Sequence, residues 1–113
     1  MEVKLIYSTI DTVERAKTIG HAIVKSRLAA CVNLIPSVES IYRWEGKIET
    51  GNEILLIAKT EASLVNRVIE KITSMHSYSC PCVVALPIET GNQAFINWIV
   101  DEVKVSERNC SSS

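Results

Sequence analysis

The chain of 113 residues is 47% hydrophobic and 22% charged, which fits one globular domain and excludes a low-complexity polymer. A net charge of −1 leaves out the basic footprint of a nucleic-acid binder. No window approaches the roughly 18 consecutive apolar residues of a membrane-spanning helix. The start, MEVKLIYSTI, lacks a basic region followed by an apolar stretch and a small-residue cleavage site, so a cytoplasmic location is expected. Residues 1–105 read as a single domain, and residues 106–113, with their serine run, as a disordered tail. The cysteines, Cys31, Cys80, Cys82 and Cys110, are expected to be free thiols, because a domain with this much core does not need disulfides.

Val3 to Thr9 is a nearly continuous β-prone run and predicts a central strand buried on both faces. Asp11 and Glu14 have capping-box spacing. The helix that follows has Ala16, Ile19, Gly20 and Ile23 along one side, with Arg27 trailing out. Two long strands come next, Ala30 to Trp44 and Lys47 to Thr60, folded back at Glu45-Gly46. Each arm is about fifteen residues, against a usual five or six, and would span about 50 Å if straight. The hairpin should therefore overhang its own domain, whose diameter would be roughly 35 Å. Pro36 marks the first arm as an edge strand, bent at that residue, and Gly51 suggests a bulge. So long an apolar edge invites cover by other copies of the chain.

A second helix carries Leu64, Val65, Val68, Ile69, Ile72 and Met75 at helical spacing and ends near His76. Cys82 to Ile88 predicts a short strand, bent or ended at Pro87. Gly91-Asn92 opens a last helix with Phe95, Ile96, Ile99 and Val103 inward. The fold class is thus α+β, a ferredoxin-like βαββαβ order with a long β-hairpin and an added C-terminal helix.

LAACVN (28–33), SIYRWEGKIE (40–49), EILLIAKT (53–60), HSYSCP (76–81) and LPI (86–88) together resemble the CutA divalent-cation tolerance family over roughly residues 3 to 103. The resemblance implies a homotrimer held by the long hairpins, with a PII-like three-fold architecture. It implies a non-enzymatic role in tolerance of, or response to, divalent metal ions, with copper binding in some members. Copper-binding relatives carry a thiol in the first strand and a His-His pair ending the second helix; Ser8, Met75 and His76 stand at those positions here. The family's common His-Pro-Tyr-Glu-x-Pro-Glu stretch is also altered, with Ser77, Ser79 and Cys82 at its second, fourth and last places.

The candidate metal ligands are therefore His76, Met75, Cys80 and Cys82, for copper or another divalent metal. Cys80 and Cys82 flank Pro81, and in an extended segment residues two apart face the same side, where soft sulfurs suit Cu(I) or Zn(II). The alternative is that Cys82 packs as a small apolar residue and that His76 merely caps its helix. A second candidate site is an inter-subunit ligand cleft formed by Tyr42, Trp44, Lys59, Thr60, Glu61, Tyr78 and Trp98, aromatic groups beside a few polar ones. It would serve a PII-like sensor or adaptor for a small anionic ligand. Against an enzyme, Ser8-Thr9-Ile10-Asp11 lacks the arginine and glycine of an acylphosphatase anion loop. Against RNA binding, no strand combines exposed aromatics with basic residues.

Overall fold

A computed structural model describes residues 2–104; the expected tail at 106–113 and Cys110 lie outside the described residues. The elements are β1 (Val3–Ile10), α1 (Val13–Lys25), β2 (Cys31–Trp44), β3 (Lys47–Glu61), a 3-10 turn (Ala62–Leu64), α2 (Val65–Met75), β4 (Val83–Ile88) and α3 (Gln93–Val103). The four strands form one sheet in the order β2-β3-β1-β4, each neighbouring pair antiparallel. This is the ferredoxin-like arrangement, with α3 added.

Alternation along the strands separates two faces. Ile6 and Ile10 of β1 lie opposite Ala58 and Ile54 of β3 and pack, with Leu56, against Ala16, Ile19 and Ile23 of α1 and Val68 and Ile72 of α2. Gly20 permits the close seat of α1 on β2, since a Cβ there would meet Val32 Cγ1 at 3.3 Å. The other face carries Leu5, Tyr7, Leu55 and Ile57, flanked by Ile35, Val84 and Leu86. Within the chain this second face is only partly covered: Ile35, Val84 and Leu86 are each between 45% and 48% exposed. The apolar run of β1 therefore marks a central strand, but one buried fully on the helix side alone.

The hairpin turns at Glu45-Gly46, both left-handed at φ 50° and 80°, as a type I′ turn requires. Its arms have 14 and 15 residues, and the molecule measures 51 × 33 × 22 Å, longest because of this element. Gly51 pairs regularly with Ser40, so the expected bulge is not there. The ladder instead shifts between Ile35 and Val38, where Pro36 has no N–H to give and Ser37 takes φ 62°. Pro87 does not end β4; it pairs opposite Lys4 in regular register on an edge strand, where a proline's missing donor is tolerated.

The helix ends show where side chains compete for one role. Thr12, not Asp11, caps α1: its Oγ1 accepts from the Arg15 N–H at 3.1 Å, while Asp11 accepts from Arg15 Nε at 3.1 Å. At the other end Arg27 stands at φ 61°, with Arg27 N bonded to Val24 O and Leu28 N to Ile23 O, a Schellman closure. Arg27 Nη1 donates to Glu102 O at 2.6 Å and so ties α1 to α3. On α3, Ile99 and Val103 are buried, whereas Phe95 turns outward and stacks on Trp98 at 5.6 Å.

Candidate functional site

A cleft of about 580 Å³ opens where the hairpin leaves the body of the sheet. Tyr7 and Thr9 of β1 form its floor, on the face away from α1 and α2. Ser40, Ile41, Tyr42 and Trp44 of β2 and Glu53 of β3 come from the overhanging arms. Tyr78, Ser79, Cys80 and Cys82 close it from the connection between α2 and β4. The hairpin's length creates this site: β2 and β3 run past the end of β1, and the connection after α2 folds into the corner.

Tyr78 is fixed from three directions. Its backbone N–H donates to His76 Nδ1 at 3.2 Å, its hydroxyl donates to Glu53 Oε2 at 2.8 Å, and its ring lies 4.6 Å from the His76 ring. A backbone N–H can only donate, so Nδ1 is the acceptor and Nε2 carries the proton, which it gives to Thr9 O at 2.8 Å. Burial, then the hydrogen bond and charge of Glu53, push the Tyr78 phenol well above its usual range, so it remains a neutral donor. Burial acts to raise the Asp11 carboxyl nearby, but the Ser77 hydroxyl, the Arg15 guanidinium and backbone N–H groups outweigh it and hold Asp11 below 3.8.

The residues proposed as metal ligands fall into two places. Cys80 and Cys82 are exposed free thiols lining the cleft together. His76 and Met75 instead line a separate groove beside Thr12 and Arg15. Both nitrogens of His76 are engaged in hydrogen bonds, and Met75 packs against the core. Ser8, at the first-strand thiol position, is fully buried under the helices, on the opposite face of the sheet from the cleft, and its Oγ has no hydrogen-bond partner. Among the described residues no three His, Cys, Asp or Glu side chains converge as a metal-holding group. Two thiols are soft donors, and the described residues do not supply the four protein ligands of a closed structural site. Cys31 is half-buried at the start of β2.

Of the proposed ligand-cleft residues, Tyr42, Trp44 and Tyr78 line the cleft; Lys59, Thr60, Glu61 and Trp98 do not. Lys59 Nζ donates to Asn33 Oδ1, and Thr60 is buried with its hydroxyl on Leu28 O at 2.6 Å. Glu61 caps the 3-10 turn by accepting from the Ser63 N–H at 3.1 Å. Trp98 is on α3 against Phe95. Among the cleft residues the sequence reading missed is Glu53, whose place in the seventh register pair from the turn, opposite Val38, gives no local signal of its meeting with Tyr78.

The CutA1 divalent ion tolerance protein model matches residues 4–102. The chain belongs to that family. The divalent-cation tolerance protein CutA of Thermus thermophilus is 43% identical over 96 residues, covering 85% of this chain and 93% of that one. The chloroplastic CutA 1 of Oryza sativa is 40% identical over 102 residues, covering 90% of this chain and 58% of that protein. The structure of the periplasmic divalent cation tolerance protein CutA of Archaeoglobus fulgidus superposes with a TM-score of 0.88 at 39% identity, covering 90% of this chain and 99% of that one. The chain spans between 54% and 58% of the length of the rice, mouse, Arabidopsis and human CutA relatives.

CutA relatives are thus named for the periplasm and the chloroplast, and the cytoplasmic location expected from the N-terminal residues is not upheld. Relatives of one fold serve different compartments, so the first ten residues of the chain are no guide to location. The family is named for divalent-ion tolerance.

Proposed function

We propose that this CutA chain acts without catalytic turnover, as a homotrimer, in the response to metal ions, and that Cys80 and Cys82 hold copper as Cu(I). The observation that carries the metal reading is the pair of exposed thiols on one cleft in a member of a divalent-ion tolerance family. Two thiolates are a soft donor set that favours Cu(I) over oxygen-seeking ions. The trimer reading rests on the apolar outer sheet face and on the overhanging hairpin, where Ile41 and Ile48 are 71% and 67% exposed. One domain over residues 1–105 is the unit proposed to assemble.

A small anion is the weaker ligand for this cleft, because its lining includes the Glu53 carboxylate and, among the described residues, no lysine, arginine or histidine. Native mass spectrometry of reduced, metal-stripped protein during Cu(I) titration tests both parts at once. The expected result is a trimer taking up three copper ions, with uptake lost in the Cys80→Ser, Cys82→Ser double variant. A trimer that takes up no copper would overturn the metal site, and a monomer at micromolar concentration would overturn the assembly.

A further inference from the structure

Glu53 is not accounted for by the thiol pair. Its carboxylate sits on the wall of an aromatic cleft, half-buried, and the Tyr78 hydroxyl bonded to Oε2 at 2.8 Å is its recorded hydrogen-bond partner among the described residues. Among the described residues no lysine or arginine forms an ion pair with it. A carboxylate on an apolar, aromatic wall attracts a counter-charge, and among the described residues the cleft lining supplies none. Rings surround the place where that charge is missing: Tyr7 on the floor, Tyr42 and Trp44 on the hairpin, and Tyr78 across from them. Aromatic faces attract cations, and a desolvated cation over tryptophan or tyrosine is held more strongly than one in water.

The wall is also built in advance. Tyr78 is pinned by His76 at both its backbone and its ring, and His76 is itself bonded to Thr9 O. Tyr78 in turn orients Glu53, leaving Oε1 to meet a ligand. A cleft of about 580 Å³ lies within the range of small-molecule sites, roughly 300–1,000 Å³.

We propose that the cleft binds a small organic cation, an ammonium group on an apolar body, with Glu53 taking the charge and Tyr42, Trp44 and Tyr78 enclosing the body. The site uses groups other than the sulfurs of Cys80 and Cys82, so it stands or falls apart from the copper reading. Charge complementarity is what selects this occupant: an anion would face Glu53, and a neutral molecule would leave it unpaired.

The test uses the wild-type protein in its assembled state, reduced and in chelator, titrated with benzylammonium, with benzyl alcohol as the neutral isostere and with benzoate. Calorimetry gives affinity, and the two tryptophan indole N–H resonances report location. Benzylammonium is expected to bind about tenfold or more tightly than benzyl alcohol, and benzoate weakest. The Trp44 resonance should shift and that of Trp98 stay. Glu53→Gln, which keeps the shape, should erase the preference for the cation, and Tyr78→Phe should weaken it about threefold. If Glu53→Gln fails to assemble, the wild-type comparison of the three probes still decides.

Equal affinity for the three probes, or a shift at Trp98 alone, would overturn the inference. So would benzylammonium binding only after dilution dissociates the assembly, since the missing cation would then come from a second copy of the chain. Copper uptake by the same preparation after the chelator is removed, without ammonium binding, sinks this inference alone, and the reverse result sinks the copper reading alone.

Discussion

His76 illustrates how one side chain acquires its role from its surroundings. At the end of α2 it could have been a metal ligand or a helix cap, yet the Tyr78 N–H and Thr9 carbonyl take both ring nitrogens. A ligand needs a free lone pair, and here the one on Nδ1 is committed to holding the cleft wall. Asp11 was similarly reassigned. Thr12 performs the cap, which leaves the Asp11 carboxylate to Arg15, with Arg15 Nη1 reaching on to Met75 O at 3.1 Å. A carboxyl held below its ordinary 3.8 favours the folded state above that value, and this contribution is lost as the pH falls through the lower folded value. Comparing urea midpoints of wild type and Asp11→Asn at fixed protein concentration should therefore show a gap near neutrality that closes in acid. A gap independent of pH would show that the charge is not its source.

At the scale of elements, the α1 terminus sets backbone strain against a tertiary contact. Arg27 occupies a left-handed position where glycine is usual, yet its guanidinium holds Glu102 O at 2.6 Å and approaches Glu102 Oε1 at 3.7 Å. Arg27→Ala keeps the strain and loses the tie, and about 1 kcal/mol of destabilisation is expected. Arg27→Gly loses the same tie but relaxes the backbone, so it should be less destabilising than Arg27→Ala by roughly half a kcal/mol or more. Denaturant unfolding of both variants checks the ordering, and equal losses would mean that the left-handed residue carries no measurable strain. The hairpin was legible at this scale because its signals are local: glycine after Glu45 for the turn, and Pro36 for the break in pairing. Gly51 misled because a glycine in a strand reads as a bulge, whereas the ladder shift was already taken up at Pro36-Ser37.

For the whole molecule, the outer sheet face is the main unfinished surface. Leu86 is 45% exposed at its centre edge, beside Val84 and opposite Leu5. In the proposed trimer this face is buried, so Leu86→Lys places a charge in an apolar contact and is expected to give a folded monomer by analytical ultracentrifugation at micromolar concentration. An unchanged assembly would move the interface to the hairpin alone. The same face explains why β1 read as buried on both sides. In the proposed trimer its composition would answer to partner chains as well as to the core, and a single sequence does not distinguish the two.

The order of strands and helices, the arm lengths, the turn and the helix-facing core were determined by the sequence itself, because each follows from periodicity, turn chemistry or the missing proline donor within a few neighbours. Local order also brought Cys80 and Cys82 within two residues of one another. What only the tertiary structure decided was which distant groups meet. It put Glu53 on Tyr78, parted His76 and Met75 from the thiols, and sent Lys59 to Asn33 and Thr60 to Leu28 across the sheet while Glu61 caps the adjoining turn. Strand register and the fold of the 76–82 connection fix those meetings. They depend on packing across the whole sheet, so no stretch of sequence encodes them alone.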